Sequence, residues 1–141
     1  MSAVSGVNYT KVASGTPANG LVRSACGEKL RVMQDTYEAS SLADGSTITM
    51  GKNLKAGDRI VGGYLYFDAL GSATISVGDA SSATRYLAAT SVSSAGSAAL
   101  SAIDGNDYVI GTNTSDTLIT LTTGSASTTG TIKLVVYYVS N

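Results

Sequence analysis

The chain has 141 residues, with nine Lys and Arg against ten Asp and Glu, no His, no Trp and one Cys. That length suits one domain with room for a hydrophobic core. Without His there is no neutral-pH proton shuttle, no Ser-His or Cys-His nucleophile and no imidazole metal ligand, and a lone Cys cannot build a structural zinc site.

Charged residues form only 13% of the chain, against about 25% in an average soluble domain. Gly, Ala, Ser and Thr take their place. The hydrophobic fraction is nevertheless 43%, with recurring Val, Ile and Tyr, which separates the chain from disordered sequences. A formal net charge of −1 and a pI near 5.1 argue against a nucleic-acid binder, which carries a basic stripe. No stretch approaches the roughly 20 apolar residues of a membrane helix. Met1 to Thr10 has neither a basic start nor an apolar run, so no secretory signal is expected. Cys26 has no partner for an internal disulfide, as in proteins made in a reducing cytosol. The composition therefore predicts no enzyme, no cofactor, no metal, and no nucleic-acid or membrane partner.

Residues 1–29 carry Gly6, Gly15, Pro17, Gly20 and Gly27 and show no sustained alternation. They read as an extended N-terminal arm ahead of a β domain spanning 30–141. The arm still holds Val4, Val7, Tyr9, Val12, Leu21 and Val22, apolar side chains with no core of their own to enter. These six are candidate interface residues. Either the arm folds back as an edge strand of its own domain, or it lies across another chain.

Beyond the arm, helical periodicity is nearly absent. The best window, Val32 to Leu42, is interrupted by Thr36 and the pair Ser40-Ser41 and allows at most one helical turn. Period-two segments dominate. Strands are predicted at Leu30 to Tyr37, with Leu30, Val32 and Gln34 on one face, and at Ser46 to Met50, with Ile48 inward. A long strand from Arg59 to Ala69 contains Gly62-Gly63, and paired glycines inside a strand signal a bulge or a close backbone approach. Further strands are expected at Thr74 to Val77, Thr84 to Ala89, Gly96 to Ser101, Tyr108 to Ile110 and Asp116 to Thr122. The last, Thr131 to Val139, puts Ile132, Leu134, Val136 and Tyr138 on one face and Val135, Tyr137 and Val139 on the other. A strand apolar on both faces is central in a layered fold or covered by a neighbouring subunit. Turn signals every 8 to 12 residues predict an all-β antiparallel sandwich, jelly-roll-like in its strand number.

Few constellations carry chemistry. Asp104-Gly105-Asn106-Asp107 offers clustered oxygens, but no closing Glu follows, and Asp-Gly is a common turn. Asp58, Asp68 and Asp79 could supply a carboxylate pair for glycoside hydrolysis; each sits beside a predicted turn, where Asp caps backbone N–H groups. Gly57-Asp58-Arg59-Ile60-Val61-Gly62-Gly63 lacks the Gly-Lys-Ser/Thr ending of a phosphate cradle and reads as a turn entering a strand. Eight Tyr and one Phe supply all the aromatic content. Tyr64 and Tyr66 share one strand face, opposite Leu65 and Phe67, and Tyr suits surfaces that are apolar at one end and wet at the other. Tyr64, Tyr66 and Tyr137 join the candidate interface residues.

The run Leu54-Lys55-Ala56-Gly57-Asp58-Arg59-Ile60-Val61-Gly62-Gly63-Tyr64-Leu65-Tyr66-Phe67-Asp68-Ala69-Leu70, followed by Ala73-Thr74-Ile75-Ser76-Val77-Gly78-Asp79, resembles small virion proteins of tailed bacteriophages. So do Thr84-Arg85-Tyr86-Leu87-Ala88-Ala89-Thr90, Ala95-Gly96 and the closing Tyr137-Tyr138-Val139. The resemblance spans residues 48 to 139 and consists of local phrases, not a catalytic signature. It implies a β-sandwich head protein of the decoration or cement type, set on the outer capsid surface. Such a protein binds the major capsid protein, bridges capsomers, is often a homotrimer, and is assembled in the host cytoplasm. The competing readings are a tail or head-fibre adhesin and, disfavoured by the missing His and Trp, a small carbohydrate-active enzyme.

Overall fold

The computed structural model describes residues 29–111 and 117–140. Among them are nine strands and no helix: β1 (Leu30–Leu42), β2 (Thr47–Met50), β3 (Arg59–Phe67), β4 (Thr74–Gly78), β5 (Leu87–Ser91), β6 (Gly96–Ala99), β7 (Tyr108–Val109), β8 (Ile119–Gly124) and β9 (Thr128–Val139). They form two layers. The larger sheet runs β1-β9-β3-β6, with β7 also on β3, and the smaller runs β2-β8-β4-β5. Every ladder is antiparallel. The protein is thus an all-β antiparallel sandwich. The chain crosses between layers after β1, β2, β3, β5, β7 and β8.

The alternation read from the sequence explains the core. Met33, Ile60, Leu65, Ile132, Leu134, Val136 and Tyr138 point inward from the larger sheet, and Ile48, Met50, Ile75, Val77, Ile119 and Leu121 meet them from the smaller. Each such aliphatic side chain contributes about 1.5–3 kcal/mol on burial. Loop residues Leu54, Leu70, Val92, Leu100 and Ile110 plug the ends of the layers.

Gly62-Gly63 serves both purposes expected of paired glycines. The β3–β9 register shifts between Ile60 and Gly62, which is a bulge. A Cβ at Gly63 would overlap the Val135 carbonyl oxygen and come within 2.9 Å of Leu100 Cδ1, so only Gly lets β9 approach there.

Several boundaries differ from the expectations. Val32 to Leu42 is strand, not a helical turn: β1 runs on past Tyr37, and Ser40-Ser41 mark a bulge, with Ser41 at φ 48° and the register shifting between Ala39 and Leu42. β3 ends at Phe67 instead of Ala69, because Asp68 turns its carboxylate onto the Thr131 N–H at 2.9 Å. The Thr84 to Ala89 strand moves to Leu87–Ser91. Asp79 accepts from the Ser81 and Ser82 N–H groups, each at 2.9 Å, and from Arg85 Nε at 2.6 Å, so residues 79–86 form a tied loop. β4 and β9 gain one and three residues, β6 and β7 are shorter, and β8 starts at Ile119. Asp116 lies outside the described residues, as does the arm up to Glu28.

Two substitutions test these constraints. Gly63→Ala should cost about 1–3 kcal/mol through overpacking, read as a lowered denaturant midpoint. Asp79→Asn leaves the Arg85 guanidinium without its fully buried partner and should cost about 3 kcal/mol in the same measurement.

Candidate protein interface

The larger sheet has an inner face in the core and an outer face with no layer on it among the described residues. Antiparallel partners share a face, so the register defines what that outer surface carries. Val32, Tyr137 and Gly62 form one cross-strand row, and Gln34, Val135, Tyr64 and Ala99 the next. Thr36, Lys133, Tyr66 and Ser97 form a third. At the end where β1 begins, Leu30, Val139, Arg59 and Val109 complete the face.

These rows gather large apolar side chains in the open. Leu30 is 60% exposed, Val32 50%, and Tyr64, Tyr66 and Val109 between 41% and 42%, while Val135 and Tyr137 are half-buried. The Tyr64 and Tyr66 rings lie 6.1 Å apart at 34°. Gly62 adds no bulk beside Tyr137, since a Cβ there would meet nothing within 4 Å. Lys133 and Glu38, whose carboxylate accepts from Thr131 Oγ1 at 2.7 Å, lie toward the far end. Apolar patches of this kind are a general feature of contact surfaces, and tyrosine is enriched at them, which makes this face the candidate interface.

Of the nine candidate interface residues, Tyr64, Tyr66 and Tyr137 fall on this one face. Val4, Val7, Tyr9, Val12, Leu21 and Val22 lie outside the described residues. Leu30, Val32 and Val109 were not singled out as interface residues. Their alternation shows which residues share a strand face, but only the ladder tells which face is bare. β9 is the central strand expected from its double apolar pattern. Its inner face is buried, but Val135 and Tyr137 stay half-exposed, so its outer side lacks a cover within the described residues.

The carboxylates weighed for chemistry serve the backbone. Asp58 accepts from the Lys55 N–H and from Ser140 Oγ, both at 2.9 Å, and Asp68 and Asp79 are held as described above. The Arg85 guanidinium has its pKa raised, mainly by its hydrogen bond to Asp79, with burial opposing; it also sits 4.0 Å over the Tyr108 ring. Residues 103–107 form a turn, with Gly105 and Asn106 N–H groups donating to the Ala102 carbonyl and Asp107 at φ 62°. Among the described residues no three His, Cys, Asp or Glu side chains cluster as metal ligands. A groove of about 510 Å³ beside β1 is lined by Val32, Met33, Asp35, Gly51, Lys52 and Tyr138. Its carboxylate, Asp35, already accepts from the Gly51 and Thr36 N–H groups at 2.8 Å each.

The chain is similar to a chain of the cyanophage Pam1 capsid asymmetric unit, at 26% identity and TM-score 0.69, over 82% of this chain and 88% of that one. A chain of the capsid of Ralstonia phage GP4 matches in fold, at 17% identity and TM-score 0.63, over 82% and 87% of the two chains. The fold is one found in phage capsids. No protein-family model and no curated protein matches.

Because Tyr64 and Tyr66 stand on the solvent side, the double substitution Tyr64→Ser, Tyr66→Ser should change the isolated domain's unfolding free energy by no more than about 1 kcal/mol. Loss of the cooperative transition would show instead that the rings hold the fold.

Proposed function

We propose that this is a structural bacteriophage virion protein of the decoration or cement type, which binds the outer capsid surface and stabilises contacts between capsomers. The likeness to two phage capsid chains supports the virion role. The observation that carries the finer reading is the apolar tyrosine face of the larger sheet, open on a domain whose Asp58, Asp68 and Asp79 carboxylates are occupied by backbone donors. We read the strand winding as a jelly roll, the two-sheet architecture shared by viral capsid and lectin domains.

The partners in this reading are the major capsid protein and further copies of the chain, arranged as a homotrimer, with assembly in the host cytoplasm and no catalytic step. A contact repeated over a shell need not be strong, because avidity multiplies weak contacts. A rigid domain with few charges suits it, since little side-chain entropy is lost on docking. The adhesin alternative calls for an aromatic cluster on loops at one end of the molecule. Here Tyr64, Tyr66 and Tyr137 lie on strands, which favours a surface laid flat against a neighbour.

Purified virions washed in rising guanidinium should release this protein from heads, and heads lacking it should rupture at lower temperature. Recovery in the tail fraction would overturn the cement reading. Deleting residues 1–20 should leave the circular dichroism spectrum unchanged and weaken attachment to heads, read by co-sedimentation.

A further inference from the structure

Among the described residues β1 has β9 on one side and no strand on the other. It is the longest strand, at 13 residues; the other strands at sheet margins, β2, β5, β6 and β7, have 4, 5, 4 and 2. Its ladder parity can be read from one bond. Asp68 N–H donates to the Thr131 carbonyl at 3.1 Å across β3 and β9, so odd-numbered β9 residues bond toward β3 and even-numbered ones toward β1. The β1 partners of the even-numbered ones are Arg31, Met33, Asp35 and Tyr37. Leu30, Val32, Gln34 and Thr36 therefore aim their backbone groups away from β9. This edge divides in two. Asp35 accepts from the Thr36 N–H and from the Gly51 N–H, each at 2.8 Å, and so plugs the edge with a charged group, a device that blocks strand addition. Before that plug, Leu30, Val32 and Gln34 present their edge groups with no strand against them among the described residues.

We propose that Leu30-Arg31-Val32-Met33-Gln34 is a two-fold contact, pairing antiparallel with the same stretch of a second copy of the chain. An axis through Val32 is the register that engages all three open residues, Leu30 with Gln34 and Val32 with its own counterpart, each pair exchanging N–H···O bonds. The charge order of the strand selects this occupant. Cations Lys29 and Arg31 precede Val32, and the carboxylates Asp35 and Glu38 follow it. Inverting the strand onto itself sets Lys29 opposite Asp35 and Arg31 diagonal to it, twice over by symmetry, whereas a parallel pairing would set like charges together. Lys29, Arg31 and Asp35 are exposed, and a carboxylate holding two N–H groups keeps lone pairs for a cation. The 510 Å³ groove beside Met33 and Asp35 has room for Arg31 of the second copy, and the groove's own cation, Lys52, lies over the Tyr138 ring. On the outer side the exposed Leu30 and Val32 meet Gln34 and Val32 of the second copy. A partner of another sequence would have to supply the mirrored charge order, which a second copy has by symmetry. In a homotrimer the contact would link one trimer to the next, and it leaves Tyr64, Tyr66 and Tyr137 free. The inference rests on the edge and its charge order, not on the capsid reading.

The full-length isolated protein should double its sedimenting mass as its concentration rises. Val32→Pro should abolish the doubling and leave the circular dichroism spectrum unchanged, because proline removes an edge N–H that no ladder within the chain uses. The double substitution Lys29→Glu, Arg31→Glu, which sets like charges against Asp35, should weaken association at least about tenfold. In a Cys26→Ser background, Val32→Cys should link two copies on mild oxidation, its counterpart lying about 5.5 Å away between Cα atoms. Gln34→Cys, about 13 Å from its counterpart along the strand, should link at least about tenfold more slowly. Absence of doubling, doubling that survives the charge reversal, or equal linking rates would overturn the proposal. So would failure of Val32→Cys to link copies, the outcome expected if another segment of the same chain or a different protein covers the edge.

Discussion

The larger sheet depends on one strand, β9. It is the only strand that pairs with both β1 and β3 among the described residues, along nearly its whole 12-residue length. Its even-numbered side chains fill the core and its odd-numbered ones form the middle of the outer face. Both neighbours must accept its backbone, and the tightest point is Gly63, where the Val135 carbonyl occupies the space of a side chain. The bulge one residue earlier resets β3, so that Tyr64 and Tyr66 emerge on the outer face while Leu65 stays at 0% exposure. The same pairing thus fixes the core and the outer face.

Much of this was legible in the sequence. Thr131 to Val139, apolar on both faces, pointed to a central strand or one covered by a neighbouring subunit, and Gly62-Gly63 to a bulge or a close backbone approach; the ladder gives a central strand and, at the glycines, both features. The tyrosines of β3 could be assigned to one face because period two leaves no other choice. What stayed hidden was tertiary. Leu30 and Val32 look like ordinary strand residues, and their exposure follows only from β1 standing at an edge.

The errors share a cause. Ser40-Ser41 looked like an interruption because paired serines favour turns, yet a bulged ladder absorbs them, with the Ser41 N–H donating to Thr129 Oγ1 at 2.9 Å. Thr84 to Ala89 alternates well enough to predict a strand, but the Asp79–Arg85 ion pair and the Asp79 backbone caps win over that local preference. In each case a hydrogen bond to a side chain outweighed a local preference, and the distant Ser41–Thr129 partnership has no local sequence signal.

The arrangement also accounts for the scarcity of charge. On a surface that docks against protein, each Lys or Glu would lose hydration unless matched by an opposite charge, and each long side chain would lose rotamer freedom. Small residues avoid both costs, and a few tyrosines supply contact area while their hydroxyls stay near water. On the outer face the central rows of β3, β6 and β9 follow this rule, with Ala99, Val135, Tyr137 and Tyr64 at the centre and Lys133 and Arg59 displaced toward opposite ends. A solvated surface gains nothing from such a distribution, whereas the proposed docking against another protein would, and the low charge of the chain suits that proposal.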